Sequence, residues 1–119
     1  MKKIIIVDDY KDFADSVRQY VENSTKQETN AFYDPEKVLE HIDKVKDIDI
    51  LITDYQMPKM NGFELAKKVI ERFPNIKIII WSGHDESTLK KVNNEYNLDV
   101  TLLSKSQIGK LINSISASN

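Results

Sequence analysis

Short apolar runs punctuate this chain at regular intervals. Three uninterrupted runs rich in isoleucine cover residues 4–7, 48–53 and 76–81, and two weaker runs cover 29–33 and 100–104. Continuous apolar runs of this length are typical of strands buried on both faces, as in the middle of a parallel sheet. We therefore predict five strands, with the two weaker ones at the flanks of the sheet.

Each apolar run is followed by a segment whose apolar residues recur at helical spacing. The predicted helices cover residues 12–23, 34–42, 62–73, 85–97 and 107–115. The apolar face predicted for the first helix carries Phe13, Val17, Tyr20 and Val21. Five repeats of strand and helix with short connections predict an α/β fold, a doubly wound parallel sheet with right-handed crossovers.

Capping residues support two of these helix boundaries. Asp34 followed by Pro35 is a typical helix start, and Asn97 can adopt the left-handed conformation that ends a helix. The last predicted helix is weaker, because Gly109 lies inside it and glycine has a low helix propensity.

Polar side chains follow four of the five predicted strands. Asp8 and Asp9 follow the first run, and Asp54, Ser82 and Lys105 follow the third, fourth and fifth. Taken alone, the acidic pair favours a turn or a helix cap over a cation site. Because the carboxyl ends of parallel strands share one edge of a sheet, we expect all five side chains to converge there, which indicates a binding site.

The residue types in this set restrict its chemistry. Clustered carboxylates repel a phosphate unless a cation lies between them, and an all-oxygen set with few protein ligands suits Mg²⁺. Lys105 would supply a second positive charge and Ser82 a hydrogen bond to a phosphoryl oxygen. Positioning and charge neutralisation supply most of the catalysis in phosphoryl transfer, and an aspartate can itself accept the phosphoryl group.

Length and composition narrow the class further. The 119 residues predict a single domain, residues 1–119, with residues 116–119 as a tail or the start of a linker. A formal net charge of −2 argues against direct nucleic-acid binding, and the absence of cysteine excludes disulfides and thiolate chemistry. No stretch is long and apolar enough to insert into a membrane, so we expect a cytoplasmic domain.

From Lys2 to about Ile115 the chain resembles the receiver domains of two-component response regulators. The segments "IVDD", "ILITDYQMPKMNGFEL", "IIIWSG" and "LLSKS" are similar to that family's acidic pair, phosphoacceptor strand and loop, hydroxyl strand and lysine strand. The most specific of them is the stretch in which Asp54 precedes Met57-Pro58 and Asn61-Gly62. The resemblance implies a flavodoxin-like sheet with strand order 2-1-3-4-5.

The resemblance also assigns a metal site. Asp54 would be the phosphoacceptor and a metal ligand, Asp9 would ligate Mg²⁺ directly, and Asp8 would act mainly through water. The backbone carbonyl of Gln56 would complete the protein's share of the metal shell.

Further roles concern the phosphoryl group itself. Ser82 would bond the phosphoryl oxygens, and Lys105 would pair with Asp54 and then with the phosphate. Gln56 and His84 lie where the family tunes how readily water removes the phosphate. The implied function is a signalling switch that catalyses its own phosphorylation and dephosphorylation but is not otherwise an enzyme. Its implied partners are a sensor histidine kinase or a phosphotransfer protein and a downstream protein target.

Two positions depart from the family pattern. The family usually has proline after the lysine, where this chain has Ser106, and an aromatic residue three positions before it, where this chain has Leu102. Because a cis bond before a residue other than proline is costly, we predict a trans Lys105–Ser106 bond. With no ring at Leu102, we expect the family's aromatic readout of phosphorylation to be weak or absent.

Three other functions compete with the switch. A phosphatase of the haloacid-dehalogenase type needs Asp-x-Asp after its first strand, where this chain has Asp8-Asp9-Tyr10. A flavin or dinucleotide binder needs a glycine-rich first loop, and the only glycines are Gly62, Gly83 and Gly109. A receiver-like module that binds a partner without phosphorylation is the remaining alternative, and the complete set of five polar residues argues against it.

Overall fold

A five-stranded parallel sheet forms the centre of the protein. The computed structural model describes residues 1–83 and 85–117 of the chain. Within these residues the strands are β1 Lys3–Val7, β2 Glu28–Phe32, β3 Ile50–Asp54, β4 Lys77–Ser82 and β5 Thr101–Ser104. Their order is β2-β1-β3-β4-β5, and every neighbouring pair is parallel. The predicted fold class, the strand order and the flanking places of β2 and β5 are therefore confirmed.

Helices follow the strands in the predicted alternation. The helices within the described residues are α1 Lys11–Thr25, α2 Pro35–Ile42, α3 Gly62–Arg72, α4 Glu86–Tyr96 and α5 Ile108–Ser116. Asp34 caps α2 by accepting a hydrogen bond from the Glu36 N–H at 2.9 Å, and Pro35 is the first helical residue. Asn97 ends α4 in the left-handed conformation, at φ 54° and ψ 47°. Both predicted caps are confirmed.

The two faces of the sheet bury separate apolar clusters. One cluster includes Phe63 and Leu89 from α3 and α4. The other includes Val17 from α1, Leu111 from α5 and Trp81 from β4. Because successive strand residues point to opposite faces, each isoleucine-rich strand supplies both clusters at once. This double burial explains why the strands read as continuous apolar runs.

The predicted apolar face of α1 is confirmed for Val17, Val21 and Phe13, which packs against the same cluster, but is wrong for Tyr20. The buried residues of the helix are Ala14, Val17 and Val21, whereas Tyr20 is 40% exposed and Phe13 is half-buried. Spacings of three and four residues place the buried three on one stripe, and the two aromatic residues lie along the side of that stripe. Within the described residues, no helix is both long and apolar enough to cross a bilayer.

Candidate functional site

Three carboxylates meet at the carboxyl ends of β1 and β3, which are neighbours in the sheet. Asp8 and Asp9 directly follow β1, and Asp54 is the last residue of β3. Each offers an oxygen that lies within 4.8 Å of the other two. Asp8 is 1% exposed and Asp54 8% exposed, whereas Asp9 is open to solvent. The predicted acidic cluster is thus brought together, with two buried members and one that faces water.

The backbone around Asp8 fixes the direction of its side chain. The N–H of Asp8 donates to the carbonyl of Phe32 in β2 at 3.1 Å, so the strand pairing extends to this residue. The N–H of Tyr10 then donates to Asp8 Oδ1 at 2.9 Å. Lys105 Nζ donates to the other oxygen, Oδ2, at 2.8 Å. Both oxygens of this buried carboxylate therefore have a donor, as a buried charge requires.

The end of β3 is held against β4. Asp54 lies opposite Trp81 in the strand register, and the N–H of Tyr55 donates to the carbonyl of Trp81 at 2.9 Å. Ser82, one residue further along β4, is 3% exposed and lies opposite Ser104 of β5. The predicted hydroxyl residue is therefore at the same edge of the sheet as Asp54, buried between its neighbours.

A glycine lets the loop after Asp54 fold back onto the strand. The N–H of Gly62 donates to the carbonyl of Tyr55 at 2.8 Å, and a Cβ atom at position 62 would lie 2.4 Å from the carbonyl oxygen of Asp54. Asn61 caps α3 at this point, and a reciprocal bond between the Glu64 carboxylate and the Asn61 N–H completes a capping box. The stretch that carried the resemblance therefore closes the loop tightly against the strand that bears Asp54.

Lys105 connects the two buried carboxylates. Its Nζ lies 2.8 Å from Asp8 Oδ2 and 3.1 Å from Asp54 Oδ1, and its side chain is 22% exposed. Burial disfavours the ammonium form, but the hydrogen bond to Asp8 and the attraction of Asp54 and Asp8 outweigh it, so the pKa of Lys105 is raised. The lysine is held as a cation between two strand ends.

Asp54 remains incompletely compensated in spite of this lysine. Burial raises the pKa of Asp54, Lys105 lowers it, and the neighbouring Asp8 and Asp9 charges raise it, with a net upward shift. Lys105 thus pairs with two of the three clustered carboxylates, Asp8 and Asp54, and not with Asp9. A divalent cation beside the open carboxylate of Asp9 fits this excess of negative charge, and the all-oxygen donor set matches the preference of Mg²⁺.

A short capped turn carries Lys105. A 3₁₀ turn, Lys105–Gln107, joins β5 to α5, and the Ser104 side chain accepts a hydrogen bond from the Ser106 N–H at 3.3 Å. In return, Gln107 Oε1 accepts from the Ser104 N–H at 3.3 Å, which completes a capping box. No peptide bond among the described residues is cis, so the predicted trans Lys105–Ser106 bond is confirmed.

Gln56 and His84 are the two positions predicted to tune hydrolysis of the phosphate. Gln56 lies in the loop two residues after Asp54, with its side chain exposed. His84 lies outside the described residues, so its predicted role stays a prediction.

Two features of the site were missed from the sequence. The Ser104–Gln107 capping box could have been found, because Ser-x-x-Gln is the sequence signature of that motif. Phe13 was assigned only to the apolar face of its helix, yet its ring centroid lies 4.6 Å from Lys105 Nζ. No local pattern marks that contact, since the two residues come from opposite ends of the chain.

Comparison with known proteins identifies the family. The profile of the response regulator receiver domain matches residues 4–116. The chain therefore belongs to the receiver domains of response regulators.

Curated relatives agree with this assignment. The chain is 31% identical over 87 residues to the transcriptional regulatory protein DegU of Brevibacillus brevis, a match that covers 72% of this chain and 36% of DegU. It is 36% identical over 81 residues to the putative two-component response regulator ARR21 of Arabidopsis thaliana, covering 67% of this chain and 13% of that protein. The match thus spans well under half the length of either relative.

Solved structures share the fold. The response regulator TrrA of Thermotoga maritima, in complex with Mg²⁺-BeF, superposes with a TM-score of 0.84 at 19% identity and full coverage of both chains. A CheY-like receiver domain protein of Methanospirillum hungatei superposes with a TM-score of 0.83 at 24% identity, covering 98% of this chain and 92% of that one. At these identities the likeness concerns the fold alone.

Proposed function

We propose that this domain is a phosphorylation-dependent signalling switch whose phosphoacceptor is Asp54. The observation that carries the proposal is the buried Asp54 carboxylate, bonded to Lys105 at 3.1 Å and clustered within 4.8 Å of two further carboxylates. Membership of the receiver family supports it. So does the upward shift of the Asp54 pKa, since perturbed carboxylates cluster at functional sites.

The proposed reaction is transfer of one phosphoryl group. An oxygen of Asp54 attacks phosphorus and forms an O–P bond, while the bond from phosphorus to the leaving group of the donor breaks. The leaving group keeps the electron pair, whether it is the imidazole nitrogen of a phosphohistidine or the oxygen of a small phosphodonor. The product is an acyl phosphate, which water later hydrolyses to restore the carboxylate.

Each side chain at this edge has a role in that reaction. Lys105 pairs with Asp54 before transfer and with a phosphoryl oxygen afterwards, and Ser82 donates a hydrogen bond to another phosphoryl oxygen. Asp9 and Asp54, with the Gln56 carbonyl, would hold Mg²⁺ directly, and Asp8 would hold it mainly through water. When bound, Mg²⁺ neutralises charge on the phosphoryl oxygens and on the carboxylates.

Partners follow from the chemistry of the switch. The phosphoryl donor is a sensor histidine kinase or a phosphotransfer protein, and the readout is a changed surface that a downstream protein recognises. The names of the relatives describe transcriptional regulators and response regulators, and the matched region is a minor part of each. We place the domain in the cytoplasm, with contacts to proteins rather than to nucleic acid.

Intact-mass analysis tests the phosphoacceptor. After incubation with Mg²⁺ and acetyl phosphate, the wild-type protein should gain one phosphoryl group and Asp54→Asn none. Asp49→Asn is a matched control, because Asp49 immediately precedes the same strand at the opposite edge of the sheet. Uptake by Asp54→Asn at the wild-type rate would show that the nucleophile is another residue. A wild-type protein that gains nothing and still binds its partner would favour the phosphorylation-independent module.

A further inference from the structure

Phe13 joins α1 to the proposed phosphoryl site. It is the third residue of α1, and its ring packs against Trp81 with the ring centroids 5.6 Å apart and the planes tilted by 43°. Trp81 is 1% exposed and lies opposite Asp54 in the strand register. The Phe13 ring is therefore packed against a buried residue of β4, the strand next to the one that bears Asp54.

The same ring contacts the cation of the site. The centroid of the Phe13 ring lies 4.6 Å from Lys105 Nζ, within the distance of about 6 Å at which an aromatic ring attracts a cation. The other contacts of this ammonium are Asp8 at 2.8 Å and Asp54 at 3.1 Å. Two carboxylates and a ring thus surround a flexible lysine that would otherwise have many rotamers available to it.

We propose that Phe13 is a positioning residue that holds the Lys105 ammonium in place for phosphoryl transfer to Asp54. The inference rests on the proposed function. A lysine at the end of a four-carbon stem must be ordered before it can stabilise charge on a phosphoryl oxygen, and the ring reduces the disorder that must be removed. The ring acts on the transfer step through Lys105, so it changes the rate constant at saturating phosphodonor rather than the donor concentration at half-maximal rate.

Three variants separate this role from simple packing. Phe13→Leu keeps an apolar side chain but removes the ring, whereas Phe13→Tyr keeps a ring that attracts cations. Tyr20→Leu is the matched control, because it removes another aromatic residue from the same helix at a position that is 40% exposed. Trifluorinated phenylalanine at position 13 keeps the shape of the ring and weakens its attraction for cations. It replaces Phe13→Leu as the test variant if Phe13→Leu does not fold.

Rate measurements with acetyl phosphate and saturating Mg²⁺ give the first readout. The rate constant at saturating donor should fall roughly two- to fivefold in Phe13→Leu, which corresponds to the energy of a partly exposed cation–π contact. It should fall in the trifluorinated protein too, and should match the wild-type rate in Phe13→Tyr and Tyr20→Leu. An unchanged Phe13→Leu rate, or a Phe13→Tyr rate as low as that of Phe13→Leu, would overturn the proposal.

Nuclear magnetic resonance gives a second readout that does not need the reaction. The Hε protons of Lys105 should be shifted upfield by the ring in wild type and Tyr20→Leu, and should lose that shift in Phe13→Leu. If the shift is absent from the wild-type spectrum, the positioning role is wrong whatever the rates. If wild type shows the shift but Asp54 takes no phosphate, the proposed function fails while the contact stands.

Discussion

The two edges of the sheet hold their charges in different ways. At the carboxyl edge, Lys105 meets Asp8 and Asp54 at 2.8 and 3.1 Å, and both carboxylates are largely buried. At the opposite edge, Lys3 meets Asp47 at 3.0 Å, and the two side chains are 47% and 65% exposed. The distances are similar, but the surroundings are not.

Burial decides how much each ion pair contributes to stability and how much charge remains uncompensated. Solvent screens the Lys3–Asp47 pair, so it adds little to stability, even though its hydrogen bond raises the pKa of Lys3. At the carboxyl edge Asp8 and Asp54 are buried, and Asp9 adds a third carboxylate with which Lys105 does not pair. Burial leaves the pKa of Asp54 raised in spite of Lys105. That edge retains charge that favours a further cation, whereas the other edge is an ordinary solvated surface.

The largest expected effect comes from removing the cation of the buried set. Lys105→Met should lower the free energy of unfolding by about 3 kcal/mol without divalent cations, because two buried carboxylates lose their partner. Urea denaturation at pH 7 in EDTA measures this loss. Added Mg²⁺ should reduce it. A variant as stable as wild type in EDTA would show that the lysine does not compensate these carboxylates.

A smaller loss is expected where the loop after β3 meets the strand that bears Asp54. Gly62→Ala places a Cβ atom 2.4 Å from the carbonyl oxygen of Asp54, so it should destabilise the protein by about 2 kcal/mol through backbone displacement. Gly109→Ala is the control, because an added Cβ there meets no heavy atom within 4 Å. That variant should be as stable as wild type or slightly more stable, since alanine favours a helix. Equal melting temperatures for the two variants would contradict the close approach at position 62.

The turn that carries Lys105 should be sensitive to its cap. Ser104→Ala removes the hydroxyl that accepts from the Ser106 N–H, and should cost about 1 kcal/mol. It should also slow phosphoryl uptake, because Lys105 is the first residue of the capped turn. Ser116→Ala, at the end of α5, should change neither quantity. If Ser104→Ala matches wild type in both, the capping box does not position the lysine.

The smallest effect is expected at the opposite edge. Asp47→Asn breaks the exposed pair with Lys3 and should leave phosphoryl uptake unchanged, with only a slight fall in melting temperature at low salt that disappears at high salt. Melting curves at two salt concentrations, together with intact-mass analysis, check both points. A large loss of phosphoryl uptake would show that the two edges are coupled.

The architecture and the convergence of the site residues could be predicted from the sequence. Strands buried on both faces appear as continuous apolar runs. The parallel topology brings Asp8, Asp54 and Lys105 to one edge of the sheet, and this does not depend on the details of helix packing. Tyr20 was misplaced because a helical pattern does not say how far the buried stripe extends to each side. The contact of Phe13 with Lys105 could not be predicted, since it depends on how α1 lies beside the end of β5.

The sign of the Asp54 effect on stability follows from its pKa. The pKa in the folded protein lies above the unfolded value of about 3.9. Ionisation of Asp54 therefore destabilises the metal-free fold at pH values above the folded pKa, and this penalty disappears as the pH falls below the unfolded value. A neutral side chain of the same shape removes the penalty at neutral pH.

Urea denaturation of wild type and Asp54→Asn, each with EDTA and with Mg²⁺ at pH 7, tests most directly whether the carboxyl edge retains charge for a cation. In EDTA the variant should be more stable than wild type. Mg²⁺ should stabilise wild type by an amount set by its concentration relative to Kd, and should stabilise the variant less, so that the difference narrows. A variant less stable than wild type in EDTA, or an equal stabilisation of both proteins by Mg²⁺, would show that the carboxyl edge does not retain charge for a cation.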